Sequence, residues 1–319
     1  MIKCEVVVSD KLVWNTVDVV SALTNAAVTD QCIIMDMLAE GPDFCELNIA
    51  DFILQLPHLY NYDLSKITVL TANIKQPVMK DINFKKKFPY HWIKSTQQRC
   101  KSANIQKTLD RIFGIFIGRS NQHRLELSSY LFNNYNLKTN QTFHYSSDSD
   151  YHKNNLGLEN LINANIDNLL PASNFILNCP ITRNETVTYP ISDQYCNLLS
   201  EYNNFFVEVV CETFFSGETF FPTEKTWRPI ALGTPFIIQG PSWFLKELKI
   251  LGFETFSNWW DEGYAEDPAD HQVTEIKKVI DYLAELKQTD IEQMYKEMQP
   301  VLDHNKNLFF NLQEQDVCF

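Results

Sequence analysis

The feature that most constrains this chain is an alternation of short apolar runs with longer stretches of helical spacing. "CEVVVS" (4–9), "QCIIMDM" (31–37) and "KITVLTAN" (66–73) read as short buried strands. Between them, "WNTVDVVSALTNAA" carries apolar residues at Val17, Val20 and Leu23, with Asn15 or Thr16 as N-cap, and "ELNIADFILQL" is amphipathic. Strand–helix–strand–helix–strand predicts an α/β domain with a parallel sheet and crossover helices. The pattern resumes later. "RIFGIFIG" (111–118), "NFFVEVVCET" (204–213) and "PFIIQG" (235–240) read as strands. "HRLELSSYLFNNY" (123–135), residues 223–232 and "TEIKKVIDYLAELK" (274–287) read as helices.

A chain of 319 residues suits two domains of this kind. The expected architecture is two Rossmann-like lobes, residues 1–105 and 106–319, with parallel sheets facing a cleft. Residues 75–101 form the connection and a surface loop, with Pro77 and Pro89 breaking the pattern. Apolar residues make up 45% of the chain, enough for a sizeable core, yet no apolar run reaches the roughly 20 residues of a membrane span. The N-terminus lacks a signal-peptide pattern, and eight scattered cysteines form no CxxC pair, so reduced thiols and a cytoplasmic protein are expected. Abundant Asn, Ile, Lys, Phe and Tyr beside 9 Gly fits an AT-rich genome, such as that of a phage or a low-GC bacterium.

The net charge of −13 makes the chain a poor general binder of nucleic acid. Residues 75–101 depart from that balance. They hold seven Lys and one Arg against a single acid, Asp81, with Phe84, Phe88, Tyr90 and Trp92 interleaved. One reading is a solvated lysine run. The other is a landing surface for an anionic acceptor, with Lys85, Lys86 and Lys87 as its centre.

In parallel sheets, ligands sit beyond the carboxyl ends of strands, at loops that open helices. "GRSNQHR" (118–124) and "FFSGETFFPTEK" (214–225) occupy such places. No GxGxxG and no P-loop occurs, which removes the main support for dinucleotide or P-loop sites. In "FFPTEKTWRPIALGTPFIIQG" (220–240), Thr223 is placed as an N-cap, and Glu224 and Lys225 open the helix. A helix start favours anions, Lys225 adds a full charge, and a carboxylate can accept both hydroxyls of a ribose diol. The set therefore suits a nucleoside diphosphate, and Arg119 and Arg124 after the 111–118 strand could supply further cations. Equally, Glu224 could serve the helix dipole while Lys225, Arg228, Arg119 and Arg124 stay solvated. Pro229 is costly inside a helix, and Gly233 would close it.

The block "FFPTEKTWRPIALGTPFIIQG" resembles the donor-binding motif of α1,3-fucosyltransferase-type glycosyltransferases, and "FIGRSNQHRLELSSYL" resembles that family's strand–loop–Arg–helix segment. The likeness to phage and bacterial glycosyltransferase-type proteins runs from Phe113 to about Leu286. The resemblance implies a GT-B fold whose C-terminal lobe holds a UDP- or GDP-linked sugar. Glu224 would then bind the ribose, Lys225 and Arg124 the phosphates, with Arg119, Thr223, Arg228 and Phe221 completing the donor site. Phe221 stands where the family has Tyr, and "TWRPIALGTPF" departs from the family's usual continuation.

Such a site can neutralise a leaving diphosphate with cations and a helix start, so no essential metal or other cofactor is expected. "DSD" (148–150) lies in a polar run and reads as a loop. The base should come from "MDMLAEGPDF" (35–44), with Glu40 first and Asp36 next, Asp43 being a third acid of that stretch. "WWDEGYAEDPAD" (259–270) could cover the donor site by stacking on a base or sugar. The acceptor is a glycan hydroxyl or, as an alternative, a hydroxymethylated pyrimidine in phage DNA. A third alternative is a non-catalytic module that binds a sugar nucleotide or a partner.

Overall fold

The computed structural model describes residues 1–7, 14–39, 41–42, 44–73, 79–118, 122–143, 169–179, 181 and 198–317. The chain is α/β, with two four-stranded parallel sheets and nine α-helices among the described residues. It divides into two compact units. The first comprises Met1–Trp92, Ser216–Thr223 and Leu312–Phe319; the second comprises Ile93–Phe215 and Glu224–Asn311. A single cut after residue 105 does not describe this division, because the chain re-enters the first unit twice.

In the first unit, β1 (Ile2–Glu5), β2 (Ile33–Asp36), β3 (Ile67–Thr71) and β4 (Asn83–Lys86) lie in sequence order, each parallel to the next. Helices α1 (Thr16–Val28) and α2 (Ala50–Tyr60) are the crossovers. Val19, Leu23, Ile53 and Leu56 of these helices share one core with Ile33, Met35, Ile67 and Val69 of the strands. Alternate residues of β2 and β3 are fully buried, the period of two expected for strands with one face on a core. Asn15 occupies the N-cap position of α1 but makes no side-chain cap. Its amide instead ties back to strand β1, accepting from Val7 N at 3.0 Å and donating to Glu5 O at 3.1 Å.

Residues 79–101 are not a loop. They form β4, an edge strand reading "NFKK", and helix α3 (Tyr90–Cys100). Lysines on an edge strand discourage unwanted strand pairing. The returning segments dock through specific hydrogen bonds and ring packing. Phe220 N donates to Ala72 O at 2.9 Å, Phe88 N donates to Val317 O at 3.0 Å, and the Phe88 and Phe220 rings meet edge-on at 4.6 Å. Phe221 packs over Gly41, whose φ of +64° and lack of a side chain are both required. A Cβ there would lie 2.2 Å from the Phe221 ring.

The second unit has the strand order β6-β5-β7-β8, with β5 Arg111–Ile117, β6 Thr139–Phe143, β7 Phe205–Cys211 and β8 Phe236–Gln239. All pairs are parallel, and β6, β7 and β8 are buried along their whole length, as parallel sheets covered on both faces require. Helix α4 (Gln122–Tyr135) links β5 to β6. Helix α5 (Leu169–Leu177) precedes β7, and α6 (Glu224–Ala231) links β7 to β8. Then follow α7 (Phe244–Ile250), α8 (Ala269–Glu285) and the 24-residue α9 (Gln288–Asn311). Trp227 of α6, fully buried, stacks on Phe309 of α9 at 5.7 Å.

Helix α6 stops where its sequence says it should. Thr234 N donates to Pro229 O at 2.9 Å and Gly233 N donates to Ile230 O at 3.3 Å, with Gly233 at φ +60°. This is the Schellman closure, and it needs a residue at ease in the left-handed region. No helix among the described residues is long and apolar enough to cross a membrane. Cys4, Cys32, Cys100, Cys179 and Cys211 carry no disulfide.

Candidate functional site

The strand order decides where to look. In the first sheet every crossover steps the same way. In the second, β5 leads through α4 to β6 on one side, while its neighbour β7 leads through α6 to β8 on the other. Two connections that diverge from adjacent parallel strands leave a crevice at the strands' carboxyl ends, and that is where open α/β sheets place ligands.

The residues at this point form one cluster. Glu212, directly after β7, is 1% exposed. Its Oε1 accepts from Thr226 N at 3.2 Å and Thr226 Oγ1 at 2.6 Å, and its Oε2 accepts from Thr213 N at 3.0 Å. Thr226 is the third residue of α6, so Glu212 satisfies one of the N–H groups left over at the helix start and sets a negative charge against the positive end of the dipole. Arg124 of α4, also buried, donates from Nη2 to Glu212 O at 2.9 Å. Burial lowers the pKa of its guanidinium, against the nearby negative charges of Glu212 and Glu224. An arginine so placed is still charged at neutral pH.

Glu224, the first residue of α6, is 8% exposed. Lys225 Nζ sits 3.1 Å from its Oε1 and 3.2 Å from Thr213 Oγ1. Burial alone would raise the Glu224 pKa. The Lys225 charge and hydrogen bond, then Arg228, outweigh it, so the carboxyl is held below its usual value and is ionised. Its second oxygen, Oε2, is buried and has no hydrogen-bond partner among the described residues. A buried ionised oxygen without a donor is costly.

His123, beside Arg124, is 4% exposed and stacks face to face on Phe215 at 3.9 Å. Neither ring nitrogen has a hydrogen-bond partner among the described residues. Burial first, then the Arg124 charge, push its pKa well below the ordinary value. The Glu212 backbone pulls the other way. The ring is therefore neutral at neutral pH.

The structure thus brings Arg124, Glu224 and Lys225 together at the switch point, with Thr223 buried just before the helix. It gives Arg228 a different place. Its Nη2 bonds Glu208 Oε1 at 2.7 Å, its Nε bonds the Tyr202 hydroxyl, and Tyr202 bonds the other Glu208 oxygen. All three are buried, so Arg228 is withdrawn from any ligand and the expectation that it binds the donor is corrected. Phe221 belongs to the first unit's packing over Gly41. Arg119, Glu40 and Asp43 lie outside the described residues, as does the 148–150 stretch. Asp36, at the carboxyl end of β2, pairs with Lys3 at 3.1 Å and accepts from Leu38 N at 3.1 Å. Lys85 and Lys86 lie on β4, and Lys87 pairs with Glu314 at 2.6 Å.

The tryptophan end of the "WWDEGYAEDPAD" segment lies away from this site, whereas Tyr264 bonds Ile238, opposite Val210 of β7. Trp260 packs on Phe256 and reaches Phe206, the second residue of β7. Phe206 and Glu212 are six strand residues apart, about 20 Å at 3.3 Å per residue. Glu212, His123 and Thr226 went unread in the sequence. The signal for Glu212 was available: an acid directly after the strand "FFVEVVC" stands at a carboxyl end. Among the described residues, no group of three or more His, Cys, Asp or Glu is placed to hold a metal ion. Comparison with protein-family models, curated proteins and solved structures returned no match.

Proposed function

We propose that this chain is a GT-B-type glycosyltransferase that moves a sugar from a nucleoside-diphosphate sugar to an acceptor hydroxyl. The observation that carries the reading is the Glu224 Oε2 atom, buried at a switch point and without a hydrogen-bond partner among the described residues, inside a sequence block resembling a donor-binding motif. A ribose hydroxyl supplies the donor this oxygen lacks. In the unliganded site Lys225 rests on Glu224. Donor binding exchanges these partners: the ribose goes to Glu224, and Lys225 turns to the diphosphate beside Arg124. The open N–H groups of α6 contribute less than its sequence suggests, because Glu212 already takes the one on Thr226.

In the reaction the acceptor oxygen attacks the anomeric carbon, a base takes the acceptor proton, and the bond from that carbon to the phosphate oxygen breaks. Arg124 and Lys225 stabilise the charge that grows on the leaving diphosphate. In the first unit Asp36 is the described candidate for the base, and Lys3 would have to release it. With two protein cations on the leaving group, turnover should persist in excess EDTA. Complete loss of turnover there, restored by manganese or magnesium, would move the protein out of this mechanism.

The first test is a thermal-shift screen against UDP, GDP, CDP and their sugars, followed by calorimetry. A ligand that binds only the folded state raises the melting temperature. Lys225→Ala should then forfeit a charge-assisted hydrogen bond of roughly 1.5–3 kcal/mol, about 10- to 150-fold in affinity. No shift from any nucleotide would sink the reading. Binding without donor hydrolysis or transfer would leave a sugar-nucleotide-binding module.

A further inference from the structure

A second site lies in the same unit, away from the switch point. Four residues of α8, Glu275, Lys278, Val279 and Tyr282, are spaced i, i+3, i+4, i+7 and so share one helix face. Opposite them stand Trp259, Trp260, Asp261 and Tyr264, and the cleft between holds about 300 Å³. That is the small end of the range for ligand pockets, and an apolar wall with few polar groups is their usual make-up. Tyr282 is 46% exposed, a large aromatic face left to water by a fold that buries its neighbours Leu283 and Ile280.

The aromatic wall is preformed. The buried Glu262 side chain accepts from Thr255 Oγ1 at 2.6 Å and Phe256 N at 2.7 Å, which ties the start of the segment to its middle. Asp261 Oδ1 accepts from Gly263 N at 2.8 Å, and Trp259 N donates to Phe256 O at 2.9 Å. The Tyr264 hydroxyl accepts from Ile238 N, on β8, at 3.4 Å. A wall fixed in this way loses little entropy when a ligand stacks on it.

We propose that this cleft binds a neutral pyranose ring of a glycan. A sugar has C–H faces that stack on indole and phenol rings, and hydroxyls around its edge that both donate and accept. The rim matches the edge: Asp261 and Glu275 accept, and Lys278, 2.5 Å from Glu275, donates. A quaternary ammonium ion would also suit the aromatic wall and the two carboxylates, but it carries no hydroxyls to match the donor and acceptors of the rim. The site is independent of the donor reading, because it needs no nucleotide and none of Arg124, Glu224 and Lys225 lines it.

The test is a tryptophan-fluorescence titration of the whole chain with methyl glucopyranoside, methyl mannopyranoside, methyl galactopyranoside, N-acetylglucosamine and a short β-linked oligosaccharide. Tetramethylammonium chloride and adenosine serve as rival probes. At least one sugar should give a saturable change, at about millimolar Kd for a single ring. Tyr282→Ala should weaken that binding roughly tenfold with an unchanged melting temperature, because the side chain is at the surface. Glu224→Gln should leave it unaltered. Absence of saturable binding by every sugar, or binding of tetramethylammonium or adenosine in their place, overturns the proposal. So does sugar binding that Glu224→Gln abolishes and Tyr282→Ala spares. A failed nucleotide screen would leave it untouched.

Discussion

Strand β7 presents two acids to the same helix, and they do different things. Glu208, inside the strand, meets Arg228 near the end of α6, and Tyr202 closes the triangle, so every oxygen of the carboxylate is bonded. Glu212, just past the strand, bonds Thr226 near the start of α6, beside a carboxylate oxygen and two histidine nitrogens that have no hydrogen-bond partner among the described residues. A closed network fixes strand to helix. An incomplete one, at the carboxyl ends of diverging strands, leaves valences that something outside the chain can fill. On the proposed reading, the difference separates a charged cluster that serves the fold from one that serves a ligand.

The largest effect should come from breaking the closed cluster. Burial pushes the Glu208 pKa up, and Arg228, Tyr202 and Lys107 only partly reverse this. Arg228→Met should therefore strand a buried acid and cost about 3–5 kcal/mol in urea denaturation. Replacing Glu208 by Leu in the same chain should recover much of that loss, because the pair is then removed together. If the single variant were nearly neutral, the cluster would not be holding strand to helix.

Next come the pH effects, one from each cluster. Lys107 donates to Phe205 O at 2.8 Å, and burial lowers its pKa to about 7, with Glu208 opposing. The unfolded lysine binds its proton below about 10.4, the folded one only below about 7. Between these values the unfolded state holds more protons, so stability should rise with pH from about 7 to 10. His123, held well below its ordinary pKa, has the same sign in a lower window: stability is present above about 6.5 and lost as pH falls below it. Neither slope can exceed about 1.4 kcal/mol per pH unit per proton. Stability curves of Lys107→Met and His123→Gln should each lose one of these slopes and keep the other.

A smaller effect of opposite sign should follow at the open cluster. Glu224→Met removes the unpartnered oxygen and leaves Lys225, whose side chain is 19% exposed, to reach water. Stability should be unchanged or higher by about 1 kcal/mol. A loss as large as that of Arg228→Met would make both clusters structural and erase the comparison.

Much of this was legible in advance, and the failures have physical reasons. Strands β5, β7 and β8 announce themselves because a sheet covered on both faces needs predominantly apolar runs, which the single Glu208 of β7 does not hide. Strand β6 is as buried but reads "TNQTF", a polar sequence that only its tertiary partners make a strand, as when Asn140 bonds Glu201 at 2.6 Å. Helix α9 was readable and went unread: Ile291, Met298, Leu302 and Phe309 recur at helical spacing, and all are buried. At the site, Glu224 and Lys225 could be picked from their place at a helix start. Arg228 misled because i and i+4 share a helix face. The sequence does not say that a glutamate on β7 and a tyrosine before it wait for the later of the two.

The smallest effect on folding, and the sharpest on the acceptor, is expected in the first unit. Lys85 and Lys86 lie on the edge strand β4, and Lys87 pairs with Glu314, whose side chain is 62% exposed. An exposed pair contributes about 0–1 kcal/mol, so changing all three lysines to Ala should barely move the melting temperature. If the acceptor is DNA, the same change should weaken duplex binding and flatten its salt dependence, by roughly 0.9 in slope for each phosphate no longer neutralised. Nucleotide binding should not change, because Arg124, Glu224 and Lys225 belong to the second unit. If the acceptor is a neutral glycan, the triple variant should transfer sugar as well as the parent. The measurement is a salt titration of duplex binding beside a nucleotide titration, on parent and variant. Failure of the parent to bind duplex at about 50 mM salt, on a chain of net charge −13, would remove the DNA acceptor and leave β4 as a charged edge that keeps strands from pairing.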